Sequence, residues 1–115
     1  VNTPLTGSVT HVPVAQVADL VAAGAALIDV REHHETAAGR APLAVCMPMQ
    51  SFNLDALPAG VPLVFICRSG SRSDAVATAL AGMGFTTFNV IGGMMAWDAA
   101  GLPVVAEDGE AGIVM

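Results

Sequence analysis

Apolar runs alternate with helical patterns along the chain, which predicts an α/β domain on a mainly parallel sheet. Val9 to Val12 reads as a short first strand. Pro13 suits a first helical turn, and Val14, Val17, Ala18, Val21 and Ala22 recur at helical spacing up to Gly24. Ala26 to Val30 (ALIDV) is a buried strand with Asp29 near its end. His33 to Ala38 is a short helical piece closed by Gly39, and Val45 to Met47 a short strand before Pro48. Leu54 to Leu57 predicts a turn of helix. Val61 to Cys67 (VPLVFIC) is the strongest buried strand. Ser73 to Met83 is the strongest helix, with Ala75, Val76, Ala79, Leu80 and Met83 on one face. Thr87 to Ile91 adds a strand and Met94 to Ala100 a last helix.

This order divides the chain into an N-terminal extension (1–8), one domain (9–104) and an acidic, glycine-containing tail (105–115) expected to be loose. At 115 residues there is room for one domain only. With 54% hydrophobic and 12% charged residues, intrinsic disorder is excluded. The longest uncharged stretch, Ala75 to Trp97, has the length of a membrane span. Gly82, Gly84, Thr86, Thr87, Asn89, Gly92 and Gly93 interrupt it, so it reads as helix, turn, strand and turn.

Charge narrows the function. Four arginines and no lysine, on a chain of net charge −6, do not supply the cationic face that nucleic acid requires. Two cysteines make no disulfide-rich scaffold, and without a CxxC pair there is no zinc site. The N-terminus shows no basic region followed by an apolar core, so no signal peptide is visible. A reduced, cytoplasmic setting is the expectation.

The chemistry concentrates after the strongest strand. In open α/β sheets the binding crevice lies beyond the carboxyl ends of the strands. There, Cys67-Arg68-Ser69-Gly70-Ser71-Arg72 leads into the strongest helix. Small residues let such a loop curl with its N–H groups inward, forming an anion cradle reinforced by the helix N-terminus. Two of the four cations, Arg68 and Arg72, fall in this loop. Both effects lower a cysteine pKa, so Cys67 is expected to be a thiolate at neutral pH.

Other candidates carry less. Cys46 is read as a small apolar residue on a short strand, the alternative being a resolving thiol for Cys67. His33 and His34 lie beside Glu32 and Glu35, but neighbours on a short helix point in different directions, so no metal site is expected. Gly82-Met83-Gly84 is a turn rather than a dinucleotide fingerprint.

At the cysteine loop the sequence resembles the rhodanese homology domain, the single-domain sulfurtransferase family. The likeness extends to LIDVRE (27–32), AGRAP (38–42), GFTTFNVIGGMMAW (84–97) and AGLPV (100–104), covering about Val9 to Val104. The resemblance implies a five-stranded, mainly parallel sheet with helices on both faces. It also implies that Cys67 is a nucleophile carried as a persulfide. Arg68, Ser69, Gly70, Ser71, Arg72 and Ser73 would form the substrate cradle, with Arg72 as its closing cation. Asp29 and Arg31 would be supports at the neighbouring strand end. The implied reaction moves a sulfane sulfur from thiosulfate or a low-molecular-weight persulfide to cyanide, a thiol or an acceptor protein, with no cofactor. The alternative is a persulfide-carrying or regulatory module that acts only with a partner protein. Arg40 and Leu43 stand where the family often has histidine and glycine, which alters the acceptor side.

Loop length separates this chemistry from that of the cysteine phosphatases, whose CxxxxxR loop places the arginine six positions after the cysteine. Arg72 is five positions after Cys67, so the ring of N–H groups is one residue smaller. It suits one sulfane sulfur rather than a tetrahedral phosphoryl group.

Overall fold

The computed structural model describes residues 8–115; residues 1–7 of the predicted N-terminal extension lie outside the described residues. Its elements are β1 (Thr10–Val12), α1 (Val17–Ala22), β2 (Ala26–Asp29), α2 (His33–Ala38), β3 (Val45–Cys46), β4 (Leu63–Ile66), α3 (Ser71–Ala81), β5 (Thr87–Val90) and α4 (Gly93–Ala99). The strands form one parallel sheet in the order β1-β5-β4-β2-β3.

β4 is central, and its continuous apolar run follows from being covered on both faces. Leu63, Phe65 and Cys67 face a cluster with Val76, Ala77 and Leu80 of α3. Val64 and Ile66 point the other way, into a cluster with Val17 of α1 and Met94 and Trp97 of α4. Leu63, Val64, Phe65 and Ile66 are all fully buried. Each contributes about 1.5–3 kcal/mol of burial to the element that presents the cysteine loop.

Several boundaries differ from the sequence pattern. Pairing in β4 starts at Leu63 rather than Val61, since Pro62 lacks an N–H for the ladder. Helix α3 starts at Ser71 rather than Ser73. Gly70, at φ 110, makes the left-handed turn that caps it, and its carbonyl accepts the Asp74 N–H at 3.1 Å. The first helix opens as a 3-10 turn at Val14–Gln16, and the predicted turn of helix at Leu54 is a 3-10 turn at Leu54–Ala56. A further 3-10 turn, Met49–Ser51, has no counterpart in the sequence pattern.

The tail expected to be loose is tied to the domain by its backbone. Arg40 and Val105 exchange two hydrogen bonds of 2.9 Å, and the N–H groups of Glu107 and Ile113 donate to the carbonyls of Ala37 and Ala38. Val104 and Val114 pack on the cluster beneath α1 and α4. These contacts join positions far apart in sequence, which a local polarity pattern does not register.

Candidate active site

β4 delivers Cys67 one residue past its last paired position, at the carboxyl edge of the sheet. The residue has no exposed surface. The Gly70 N–H donates to Cys67 Sγ at 3.1 Å, and Ser73 Oγ lies 3.2 Å from the same sulfur. Burial pushes the Cys67 thiol up, but the Ser73 hydroxyl and the N–H groups of Ser73, Gly70 and Ser69 outweigh it and leave the pKa lowered. Charge on the sulfur is therefore stabilised by dipoles of the loop and the first turn of α3.

The loop holds this shape because its carbonyls are taken from outside. Met94 N–H donates to the Cys67 carbonyl at 2.7 Å, and Met95 N–H to that of Arg68 at 3.0 Å. Both donors are free N-terminal groups of α4. The approach requires Gly93, at φ 55, where a Cβ would collide with the carbonyl oxygens of Cys67 and Arg68.

The two loop arginines diverge. Arg68 is exposed at the mouth, and its Nε donates to the Met115 carbonyl of the tail. Arg72 turns toward α2, where its Nη1 and Nη2 donate to the two carboxylate oxygens of Glu35 at 2.7 and 2.9 Å. That bidentate pair, set against burial and aided by the Glu32 N–H, holds the Glu35 carboxyl at about 2. The same pair and the Cys67 charge push Arg72 further up. Arg72, expected as the closing cation of the cradle, is thus a strut between α3 and α2, and the hydrogen bonds to Cys67 Sγ come from Gly70 and Ser73.

Asp29 and Arg31 sit at the end of β2, both fully buried. Arg31 donates to both Asp29 oxygens through Nε (3.0 and 3.1 Å) and Nη2 (2.7 Å), and through Nη2 also to the Gly39 carbonyl at 2.8 Å. Arg31 thereby ties the end of β2 to Gly39, which closes α2, and among the described residues the pair makes no hydrogen bond to the cysteine loop. Arg31 Nη1 is left without a partner. Ser69 and Ser71 are exposed at the mouth.

Glu35 and Asn89 hold the loop residues Arg72, Ser73 and Gly70, and neither contact follows from the sequence pattern. Asn89 lies on β5, 4% exposed, with Oδ1 2.6 Å from Ser73 Oγ and Nδ2 donating to the Gly70 carbonyl at 3.1 Å. The available signal was a polar residue inside the apolar strand TFNVI.

Cys46 is turned away from this site. It is in register with Asp29 and, through β2, with Ile66, so it shares their face of the sheet, while Cys67 points to the opposite one. Its Sγ is 3.9 Å from Arg40 Nη1. The resolving-thiol alternative has no geometric support.

Glu32, His34 and Glu35 each offer a ligand atom within 4.8 Å of one another. Glu35 already neutralises Arg72, and Glu32 caps α2 by accepting from the Glu35 N–H. A cation there would have to break the strut, so these residues do not fit a metal. Among the described residues, no helix is long and apolar enough to cross a membrane.

A parallel sheet with a cysteine at its central strand end, held by a four-residue loop and a helix N-terminus, defines an α/β domain whose loop dipoles favour charge on that sulfur. The chain belongs to the Rhodanese-like domain family, which matches residues 13–100. It is 49% identical over 74 residues to a Bacillus subtilis protein named "Putative sulfurtransferase YtwF", covering 63% of this chain and 72% of that one. Over 86 residues it is 36% identical to a protein named sulfurtransferase from Allochromatium vinosum, covering 72% and 80% of the two chains. The rhodanese-related protein of Thermoplasma volcanium superposes with a TM-score of 0.78 at 27% identity, over 85% of this chain and 99% of that one.

Proposed function

We propose that the protein is a sulfurtransferase that carries a sulfane sulfur on Cys67. The family and the two relatives named as sulfurtransferases support sulfurtransfer in general. The observation that carries the specific reading is the convergence of the Gly70 N–H and the Ser73 hydroxyl on Cys67 Sγ.

The Cys67 thiolate attacks the outer sulfur of thiosulfate. A bond forms between the two sulfurs, and sulfite leaves with the electron pair of the broken S–S bond. The negative charge then rests on the terminal sulfur, facing the loop N–H groups. An acceptor nucleophile (cyanide, a thiol or a cysteine of a partner protein) attacks that sulfur, and Cys67 departs as the thiolate. Stabilising this thiolate lets it leave without a proton, which is the contribution of Gly70 and Ser73. A low-molecular-weight persulfide serves equally as donor.

Intact-mass measurement after incubation with thiosulfate tests the reading. The protein should gain one sulfur atom, Cys67→Ser should gain none, and Cys46→Ser should load like the wild type. Loading that survives Cys67→Ser overturns the assignment. Steady-state thiosulfate and cyanide turnover then separates an enzyme for small molecules from a carrier that discharges only to a partner protein.

A further inference from the structure

The Ser73 hydroxyl has one proton and three neighbouring acceptors. Cys67 Sγ lies at 3.2 Å, the Gly70 carbonyl at 3.3 Å and Asn89 Oδ1 at 2.6 Å. The shortest contact is the one to Asn89. The amide orientation is fixed from its other end, because the Gly70 carbonyl only accepts and requires Nδ2. Oδ1 is therefore an acceptor aimed at Ser73, and both residues are buried away from water.

We propose that Asn89 is a positioning residue, the resting acceptor of the Ser73 proton, so that the hydroxyl switches between Asn89 and Cys67 as charge moves on and off Sγ. With Cys67 as a thiol, S–H donates to Ser73 Oγ and the hydroxyl donates to Asn89. With Cys67 as a thiolate, the hydroxyl rotates to the sulfur, because a hydrogen bond to a charged acceptor is roughly twice as strong as a neutral one. In the persulfide the charge sits on the outer sulfur, Sγ is neutral, and the hydroxyl returns to Asn89. No covalent bond to Asn89 forms or breaks; one O–H rotor turns in each half-reaction, exchanging its hydrogen bond between Asn89 and Sγ. This role in transfer rests on the sulfurtransferase reading, whereas the contest for the proton does not.

The contest has a sign. Asn89 competes with the thiolate for the proton that stabilises it, so removing the Asn89 oxygen favours the thiolate, provided Ser73 is present. Asn89 also braces the loop through Gly70, and that effect persists without Ser73. The charged and titratable groups on the surrounding elements are Arg68, Arg72 and Asp74 in the loop and α3, with Glu32 capping α2 and His33, His34 and Glu35 on it. Asp29 and Arg31 stand at the end of β2, Asp98 on α4 and His11 on β1. Of these, His11 reaches Asn89, with Nδ1 3.4 Å from Nδ2.

The test is the pH profile of Cys67 alkylation by iodoacetamide, in a Cys46→Ser background that leaves one thiol. Ser73→Ala should raise the midpoint by about one pH unit. Asn89→Ala should move it down relative to the same substitution made in Ser73→Ala, the two shifts differing by about half to one pH unit. Ser73→Thr, which keeps the hydroxyl, should preserve that difference, and so should His11→Ala. If Asn89→Ala does not fold, Asn89→Val reads the same quantity. Equal shifts with and without Ser73 would reduce Asn89 to a brace for Gly70, and a difference abolished by His11→Ala would assign the effect to the imidazole; either result overturns the proposal. Alkylation needs no sulfur donor, so a chain that shows this coupling but never loads sulfur upholds the inference while ending the proposed function.

Discussion

Glu35 accepts both guanidinium nitrogens of Arg72, at 2.7 and 2.9 Å, across 37 positions of sequence. The pair joins the first turn of α3, which bears the cysteine loop, to the first turn of α2. The Glu35 Oε1 atom also accepts the Glu32 N–H, so one carboxylate caps α2 and anchors the loop arginine.

A carboxyl held at about 2 against an ordinary 4.5 stabilises the fold fully above pH 4.5, and the contribution fades as pH falls toward 2. Glu35→Gln keeps the cap acceptor but loses the charge. With Arg72 about one-third exposed, the expected cost at pH 7 is on the order of 2 kcal/mol, and chemical denaturation should show a flatter pH dependence between 4.5 and 2. An acid limb in Glu35→Gln identical to that of the wild type would assign the pH dependence to other carboxylates.

Cys67 should alkylate with a midpoint below 9.0, the ordinary thiol value, since the loop dipoles outweigh its burial. A midpoint at or above that value would mean that burial dominates. The same shift makes ionised Cys67 a stabilising group above about pH 9, a contribution lost as pH falls through the lowered folded value.

Gly93→Ala should be far more costly than Gly60→Ala, although both have positive φ (55 and 74). Gly60 faces open space and pays only for backbone strain, about 1 kcal/mol. Gly93 must also push α4 off the carbonyls of Cys67 and Arg68, for a total of about 3 kcal/mol or more. Urea melts of the two variants make the comparison, and sulfur loading should fall with Gly93→Ala alone.

Loop length should decide for sulfur over phosphate. Cys67 and Arg72 bracket four residues, and Arg72 is committed to Glu35. A phosphoryl group needs donors for three outer oxygens, and each missing donor costs on the order of 100-fold in rate. Aryl-phosphate hydrolysis should therefore be absent. Turnover comparable to that with thiosulfate, and lost in Cys67→Ser, would contradict this. A glycine inserted between Ser69 and Gly70 should weaken sulfur loading.

The sheet and the cysteine loop were legible because both are local. VPLVFIC announces a strand buried on two faces, and the loop gathers half the arginines of a cation-poor chain. What stayed hidden depends on partners distant in sequence. Glu35 stands at capping-box spacing from Glu32, which predicts a helix start but not a claim on Arg72. Asn89 stood out only as a polar residue in an apolar strand, and the Ser73 and Gly70 groups that satisfy it arrive with α3. Helix α3 starts two residues before the position its apolar pattern predicts because Gly70 caps through its backbone torsion, so no capping side chain marks the boundary.

The opposed directions of Cys46 and Cys67 bear on the lifetime of the persulfide proposed for Cys67. With β2 between their strands, their Cα atoms stand about 10 Å apart, beyond the roughly 7 Å limit for a disulfide, and the sheet itself lies between the two sulfurs. These are the chain's only cysteines. On the proposed function, a sulfur loaded on Cys67 would find no second thiol of this domain within reach, and its discharge would wait on an acceptor that approaches the loop from outside the sheet.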